Sequence, residues 1–212
     1  IFFNSKKKSH LGEFGEDIFV RRFFHKKENG FYVDVGCYHP IKGSLTYFLF
    51  KKKWRGLNID LSSVSVDLFK LSRPKDFNIQ AAITDFDGKT VYYENSPINQ
   101  QNSLDNKDGL KKEIDAYKLN TLLEKFNVEK IDYLNIDVEE NEYKVISCFN
   151  FNKYKPKLIS IEFNSYEIEK LLTSEIHNCM KKNNYKLISK FGVTCFYVSK
   201  IDVVNIHSNM SI

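Results

Sequence analysis

The sequence predicts an α/β fold in which helices cover both faces of a mostly parallel β-sheet. Short apolar runs alternate along the chain with segments of helical periodicity, and this alternation is typical of parallel sheets. The predicted strands are residues 31–35, 57–59, 78–83, 133–136, 158–161, 186–189 and 194–198. The predicted helices are residues 13–27, 44–52, 64–71, 119–126, 141–148 and 166–182.

Glycine, proline and acidic residues mark the boundaries of the first elements in order. Gly30 suits the end of the first helix, and Gly36 ends the first strand. Gly56 precedes the second strand, which closes at Asp60. Pro74 stops the third helix, because the residue before a proline avoids helical angles.

Two turns and one loop interrupt the alternation of strands and helices. Asp87-Gly88 separates residues 78–83 from a further apolar run at 91–93, and Asp-Gly between strands predicts a hairpin. The last two strands follow each other without a helix, so we expect an antiparallel pair at the sheet edge. Residues 94–115 are polar and are interpreted as a long, mobile loop that contacts the substrate.

Length and composition fit one globular domain. The chain has 212 residues, of which 42% are hydrophobic, enough for a substantial core. We interpret residues 1–212 as a single domain, with a helical segment at 1–29 and the core at 30–200. No apolar run approaches the roughly 20 residues that a membrane-spanning helix needs.

Cysteine use and charge narrow the functional classes. The four cysteines are widely spaced and form no C-x-x-C pair, so zinc-finger and redox motifs have no support. We interpret them as reduced thiols of a cytoplasmic protein. The net charge of +5 comes largely from short lysine runs, which are typical of solvated surface. An anionic partner and a homo-oligomer both remain open.

Acidic residues follow the predicted strands at the edge where ligands bind in such folds. Asp34 lies near the end of the first strand, and Asp60, Asp137 and Glu162 close three others. In open α/β sheets, ligands bind beyond the carboxyl ends of the strands. One such acid is explained by helix capping, whereas four at one edge indicate a ligand site.

The turn after the first strand, residues 33–40, indicates which ligand this edge binds. It lacks the G-x-G-x-x-G pattern of nicotinamide-dinucleotide sites. Gly36 allows close approach to the backbone, while Asp34 repels a phosphate and suits a cationic amine, such as that of S-adenosylmethionine. Asp60 can accept hydrogen bonds from both hydroxyls of a ribose. A tight turn with capping aspartates is the structural alternative.

The third predicted strand carries a weaker signal for the same ligand. It ends in Ala81-Ala82-Ile83-Thr84-Asp85, whose small residues leave room for a flat adenine ring. Asp85 can accept a hydrogen bond from the adenine amino group. Equally, Asp85 can be the first residue of the Asp87-Gly88 turn.

These motifs together resemble the FkbM family of S-adenosylmethionine-dependent methyltransferases. The resemblance spans residues 12–165, in the order expected for the family. The matching stretches are Gly15-Glu16-Asp17, residues 31–36 with His39-Pro40, Ser44, Thr46, Trp54-Arg55-Gly56 through Asp60, Arg73-Pro74, Ala81-Ala82-Ile83, residues 136–139 with Glu142, and residues 156–162.

The resemblance implies a Rossmann-like class I methyltransferase fold with a seven-stranded sheet. It also implies S-adenosylmethionine as methyl donor and O-methylation of a sugar hydroxyl in a glycan or related natural product. The expected cofactor contacts are Asp34, Gly36, Tyr38, Ser44, Thr46, Asp60, Ala82 and Asp85. The family's acidic motif usually reads Asp-Val-Glu-Gly, but here Glu140 replaces the glycine. Because glycine permits unusual dihedral angles, we expect altered local geometry at this position.

The predicted chemistry is an in-line displacement, which requires alignment of the acceptor hydroxyl and removal of its proton. Asp137 is the first candidate for the base, with Glu139 beside it. His39 is the main alternative base. Alternatively, His39 has only a structural role and caps the turn after the first strand. Glu139 and Glu142 equally suit a helix start, where acids complement the dipole.

The remaining acids are candidates for substrate and metal binding. Glu16, Asp17 and Glu162 are the expected substrate contacts, although the first two also fit plain surface positions. A divalent metal such as Mg²⁺ held by Asp137, Glu162 and Asn164 would lower the pKa of the hydroxyl.

Two other functions remain as alternatives. An RNA 2′-O-methyltransferase would use the same cofactor site, with lysine runs on the phosphates, but no basic stripe with interleaved aromatics favours it. A non-catalytic binding module on a Rossmann-like sheet is the alternative from a different class.

Overall fold

A computed structural model of the protein describes residues 11–95, 104 and 109–200. Its strands are β1 (Phe31–Val35), β2 (Arg55–Asp60), β3 (Phe77–Gln80), β4 (Ala82–Ile83), β5 (Gly88–Glu94), β6 (Leu110–Tyr117), β7 (Tyr133–Ile136), β8 (Leu158–Glu162), β9 (Tyr185–Phe191) and β10 (Thr194–Ser199). Its helices are α1 (Glu16–Phe23), α2 (Tyr47–Lys51), α3 (Ser63–Ser72), α4 (Leu119–Lys125), α5 (Glu142–Ser147), α6 (Phe151–Tyr154), α7 (Ile168–Thr173) and α8 (Glu175–Lys182).

The central sheet has seven strands in the order β3-β2-β1-β7-β8-β10-β9. Strands β3, β2, β1, β7 and β8 are parallel to one another, and β10 pairs antiparallel with both β8 and β9. The predicted mostly parallel α/β fold and the antiparallel edge pair are therefore confirmed, and the sheet is mixed. The chain builds the sheet outward from β1 in one direction and from β7 in the other, so strand order reverses between these two strands.

Alternating residues of the central strands pack against helices on opposite faces of the sheet. Val33 and Leu134 belong to the larger core cluster, which includes apolar residues of α4, α5 and α8. Tyr32 and Tyr133 belong to a second cluster with residues of α1 and α2. The strands are thus buried on both sides, which explains why their sequences are nearly continuous apolar runs. Within the described ranges, none of the helices is long and apolar enough to cross a bilayer.

The predicted hairpin at Asp87-Gly88 is wrong. The predicted strand 78–83 divides into β3, in the main sheet, and β4, which pairs parallel with β6. Strand β5 pairs antiparallel with β6, so the small second sheet has the order β4-β6-β5. Asp87 instead caps α4, because its carboxylate accepts hydrogen bonds from the Lys118 N–H (2.9 Å) and the Thr121 hydroxyl (3.0 Å).

The predicted loop at 94–115 is wrong at both ends. Glu94 belongs to β5 and residues 110–115 belong to β6, while 96–103 and 105–108 lie outside the described residues. Strand β6 buries Ile114 and Ala116 but exposes most of its charged side chains. Because only alternate residues near the end of this strand are buried, its many charged side chains led to the prediction of a polar loop.

Several helix limits also differ from the prediction. The first helix begins at Glu16 rather than at 13. The predicted helix 166–182 consists of two helices, α7 and α8, which are separated at Ser174. Ser174 is the N-cap of α8: its backbone is extended (ψ 157°), and its hydroxyl accepts a hydrogen bond from the His177 N–H. Helix α6 was not predicted.

Candidate functional site

A cleft of about 320 Å³ lies where the strand order reverses between β1 and β7. Its volume is in the range of small-molecule sites. The acids Asp34, Asp60, Asp137 and Glu162 all line it. Four acids from four strands of the chain therefore share one crevice at the carboxyl edge of the sheet.

Asp34 is held in the cleft by two side-chain hydrogen bonds. Its Oδ1 accepts from the Asn135 amide (2.9 Å), which lies opposite it on β7, and its Oδ2 accepts from the Thr46 hydroxyl (2.7 Å). Burial raises the pKa of Asp34, and the two hydrogen bonds oppose this shift. Thr46 itself is fully buried and does not line the cleft, so its contact is with Asp34 rather than with the open space.

Arg73 organises the side of the site behind Asp34, a role that was not predicted. Its guanidinium donates to Thr46 Oγ1 (2.9 Å), Tyr32 Oη (2.8 Å), Ser44 Oγ (3.1 Å) and the Pro40 carbonyl (2.5 Å). Only 1% of the residue is exposed. An arginine before a proline at a helix end gives no local signal of such burial. Ser44, which lines the cleft, is thereby fixed in place.

Gly36 is required by backbone packing as well as by any ligand. Its φ is +78°, and a Cβ at this position would lie 1.6 Å from the Asp137 carbonyl oxygen. The turns after β1 and β7 therefore contact each other through their backbones. No larger residue fits this crossing without moving one of the two turns.

Asp60 shapes the same turn from the neighbouring strand. Its Oδ2 accepts from the Tyr38 N–H and its Oδ1 from the Ser62 N–H, each at 2.8 Å. Burial raises the pKa of Asp60 to about 6. Each oxygen retains a lone pair for a further donor, so the carboxylate can bind hydroxyl groups while it holds the turn. Tyr38 and Ala82 also line the cleft.

A cluster of carboxylates lies at the end of β7. Oxygen atoms of Asp137, Glu142 and Glu162 are all within 4.8 Å of one another. Asp137 is exposed in the cleft. Desolvation by the surrounding protein, and then the charge of Glu162, raise its pKa well above the ordinary value. Desolvation raises the pKa of Glu162 as well, so protonation of one of these two neighbouring carboxyl groups is favoured.

Two further acids of this cluster have pKa values near neutrality. Desolvation and the charges of Glu162 and Glu142 raise the pKa of Glu139 to about 7. Burial raises the pKa of Glu142 to about 7, although its Oε1 accepts from the Val138 N–H (2.9 Å). Glu142 was expected only as part of a family motif and a helix start, and its place beside Asp137 was not predicted. Glu139 lines the cleft, as do Glu162 and Asn164.

The turn between β7 and α5 has an unusual backbone. Glu139 and Glu140 both have positive φ, 54° and 78°, a region that disfavours residues with a Cβ. Glu140 is the position at which the sequence departs from the family's glycine. The left-handed conformation gives the physical reason for glycine at that position.

Four predicted site residues do not line the cleft. His39 Nδ1 accepts from the N–H groups of Ile41 (3.0 Å) and Lys42 (2.9 Å), so it caps its own turn. Desolvation and nearby positive charge lower its pKa. Asp85 is exposed and accepts from Thr84 Oγ1 (3.2 Å). The other two, Thr46 and Asp17, are buried.

Glu16 and Asp17 organise the segment before α1. Asp17 accepts from the N–H groups of Leu11 (2.9 Å) and Gly12 (3.0 Å), so it has a structural contact in the place of the expected substrate contact. Glu16 accepts from the Phe14 N–H (2.7 Å) and lines the cleft. The first helix thus presents one of its two leading acids to the cleft.

Fold and site together define an α/β protein with an acidic ligand cleft at the point of strand reversal. Residues 34–187 match the family model described as the methyltransferase FkbM domain. The match covers more than half of the chain, so the protein belongs to the FkbM methyltransferase family. Neither the curated proteins nor the solved structures include a match to the chain.

Proposed function

We propose that the protein transfers a methyl group from S-adenosylmethionine to a hydroxyl group of a sugar, on a Rossmann-like class I core. The observation that carries this proposal is the shared cleft of Asp34, Asp60 and Asp137. S-adenosylmethionine has a cationic amino group, a ribose diol and a reactive sulfonium methyl group. A row of carboxylates along one sheet edge is complementary to all three features.

The β1–β2 half of the cleft fits the cofactor. Asp34, fixed by Thr46 and Asn135, would bind the amino group through charge. Asp60 would bind the ribose hydroxyls, because its pKa of about 6 leaves it mainly ionised at neutral pH. Ala82 and Leu104 line the cleft as well and offer an apolar surface for the adenine.

The β7–β8 half fits the acceptor and the removal of its proton. When bound, S-adenosylmethionine supplies an electrophilic methyl carbon. The acceptor oxygen forms a bond to that carbon as the carbon–sulfur bond breaks, and the hydroxyl proton must go to a nearby base. Glu139, with a pKa of about 7, is suited to accept it at neutral pH, and Asp137 is its neighbour in the cleft.

A divalent cation is a second component of the proposal. Asp137, Glu142 and Glu162 supply oxygen ligands within 4.8 Å of one another, a donor set that suits Mg²⁺, Ca²⁺ or Mn²⁺. Asn164 lines the same cleft. A cation there would lower the pKa of the acceptor hydroxyl and offset the negative charge of Asp137 and Glu162.

Binding of S-adenosylhomocysteine, measured by calorimetry, tests the cofactor half. We expect saturable binding to the wild type, strongly weakened by Asp34→Asn and Asp60→Asn. Asp67→Asn is the matched control, since Asp67 is exposed on α3 and pairs with Lys70. Absence of binding to the folded wild type, or equal loss in the Asp67 variant, would refute the assignment.

Methyl transfer and metal binding need separate tests. Mass spectrometry on a panel of methyl glycosides incubated with S-adenosylmethionine should show methylated sugar. Mg²⁺, Ca²⁺ or Mn²⁺ should raise the melting temperature of the wild type but not of Glu162→Gln, with reversal by a chelator. Equal shifts in both proteins would remove the metal from the proposal.

A further inference from the structure

The acceptor half of the cleft has an exposed aromatic side chain that the chemistry above does not use. Phe14 precedes α1 and lines the cleft with 42% of its surface exposed. A single exposed apolar residue is common on protein surfaces. Phe14 differs from the other exposed apolar residues of the protein because it lies in a ligand cleft and is held there by specific contacts.

The Phe14 ring rests against the turn between β9 and β10. A Cβ on Gly192 in that turn would lie 2.4 Å from Phe14 Cδ2, so the ring packs directly on the glycine backbone. On the other side, the Phe14 N–H donates to Glu16 Oε2 (2.7 Å). Backbone and ring are both anchored, and the residue still lines the cleft with 42% of its surface exposed.

The same turn is tied to the loop after β8, which supplies polar groups. The Phe163 N–H donates to the Val193 carbonyl (2.8 Å). Lys190 Nζ donates to the carbonyls of Ser165 and Gly192. Asn164 lies between these two tethered residues and lines the cleft. The aromatic ring and the Asn164 amide are therefore held at one end of the site.

The charged side chains that line this end of the cleft are the acids Glu13, Glu16 and Glu162, whereas Lys190, which is bound to two carbonyls, is not part of the lining. Glu162 lines the cleft, and the charge of Glu13, the neighbour of Phe14, contributes to the raised pKa of Glu162. Carboxylates accept hydrogen bonds from hydroxyl groups, and the Asn164 amide both accepts and donates. The carboxylates also repel phosphates and other carboxylates. An aromatic face bordered by such groups is complementary to a neutral pyranose, which has an apolar C–H face and a rim of hydroxyls.

We propose that Phe14 is the surface on which the pyranose ring of a neutral acceptor sugar stacks, with Glu162 and Asn164 bound to its hydroxyls. Phe14 is thus a specificity-determining residue for the acceptor. The inference rests on the proposed sugar O-methylation and adds to it the residue that selects the ring and the preference for an uncharged sugar.

Two substitutions of Phe14 separate stacking from simple packing. Phe14→Leu keeps an apolar side chain without an aromatic face, and Phe14→Trp keeps a stacking face. Phe86→Leu is the control, since Phe86 is exposed to a similar extent, 43%, but does not line the cleft. Melting temperatures establish that each variant folds, and calorimetry with S-adenosylhomocysteine establishes whether each retains cofactor binding.

The acceptor probes are neutral methyl hexopyranosides and the matching uronic acids, studied by saturation-transfer NMR with S-adenosylhomocysteine present. We expect saturation of the ring C–H protons of at least one neutral glycoside with wild type, Phe14→Trp and Phe86→Leu, and its loss with Phe14→Leu. For a methylated glycoside, Phe14→Leu should raise the acceptor KM about two- to tenfold, the range for an aromatic contact, with the cofactor KM unchanged.

The outcomes separate this inference from the proposed function. An unchanged signal and KM in Phe14→Leu would overturn the role of Phe14, even if methyl transfer is observed. Stronger binding of the uronic acids would overturn the preference for a neutral sugar. Cofactor binding without any glycoside signal would overturn the sugar acceptor. Failure of the wild type to bind S-adenosylhomocysteine would instead overturn the proposed function itself.

Discussion

Replacing Glu140 with glycine should stabilise the protein. Glu140 has φ +78°, and a residue with a Cβ in the left-handed region costs about 1–2 kcal/mol relative to glycine. Glycine adds entropy to the unfolded chain, which offsets about 0.4–1 kcal/mol of this gain. The net expectation is about 0.5–1 kcal/mol of added stability, or a rise of about 1–4 °C in melting temperature for a chain of this size.

The loss of the Glu140 charge also contributes to the stability change expected for Glu140→Gly, and this contribution must be separated from the backbone effect. The negative charge of Glu140 raises the pKa values of Glu139 and Glu162, so its removal relieves repulsion in the folded state. Glu140→Gln removes the charge and keeps the Cβ. Glu140→Asn removes the charge and has a side chain that tolerates left-handed angles.

Urea unfolding at low and high salt distinguishes the two effects, since salt screens the charge contribution but not the backbone contribution. We expect the free energy of unfolding to increase in the order Glu140→Gln, Glu140→Asn, Glu140→Gly, with the difference between Gln and Gly retained at high salt. Equal stability of the Gln and Gly variants, or a loss of stability with Gly, would refute the backbone argument.

Three further substitutions and conditions test the site. Thr46→Val should cost about 2 kcal/mol in urea unfolding, because the buried Asp34 carboxylate and the buried Arg73 guanidinium each lose a hydrogen bond to the Thr46 hydroxyl. Thr46→Ser should cost much less; equal losses would contradict this. Gly36→Ala should cost about 3 kcal/mol or more from steric overlap and positive φ, and a wild-type unfolding midpoint would contradict it. Burial first, then neighbouring charge, raises the pKa of Glu139 to about 7, and Glu142 has a similar value. The folded state therefore binds more protons than the unfolded state between about pH 4.3 and 7, and stability falls as pH rises through that window. The melting temperature should fall with pH and fall less in Glu139→Gln; a rise with pH in both proteins would contradict the sign.

Strands buried on both faces were the elements that the sequence predicted best. Residues 31–35 and 133–136 form β1 and β7 with the predicted limits. A short, mostly apolar run bounded by turn residues is typical of a buried strand and too short for a buried helix. The signal at Asp87-Gly88 failed since it is local. Nothing near those residues in the sequence shows that Asp87 accepts a hydrogen bond from the start of a helix 31 positions further on, or that β5 pairs with β6.

The candidate site divides in the same way. Asp34, Asp60 and Asp137 were expected together because strand order alone brings their positions to one edge. Arg73 and Phe14 were not expected at the site, because their contacts depend on how loops far apart in the chain pack. Arg73 reaches across from the end of α3, and Phe14 depends on the β9–β10 turn. Periodicity and motif spacing contain no information about such contacts.

The two halves of the cleft differ in how well their charges are satisfied. Asp34 and Asp60 each accept two hydrogen bonds from the protein, so the β1–β2 half is organised before any ligand arrives. The turn after β7 combines left-handed residues, Glu139 and Glu140, with carboxylates that repel one another around Asp137. Backbone strain and repulsion both reduce stability, and such costs are typical of functional sites. A positively charged group, such as a sulfonium or a metal cation, would relieve this repulsion, so its binding to the β7–β8 half would remove a cost that the folded protein otherwise carries.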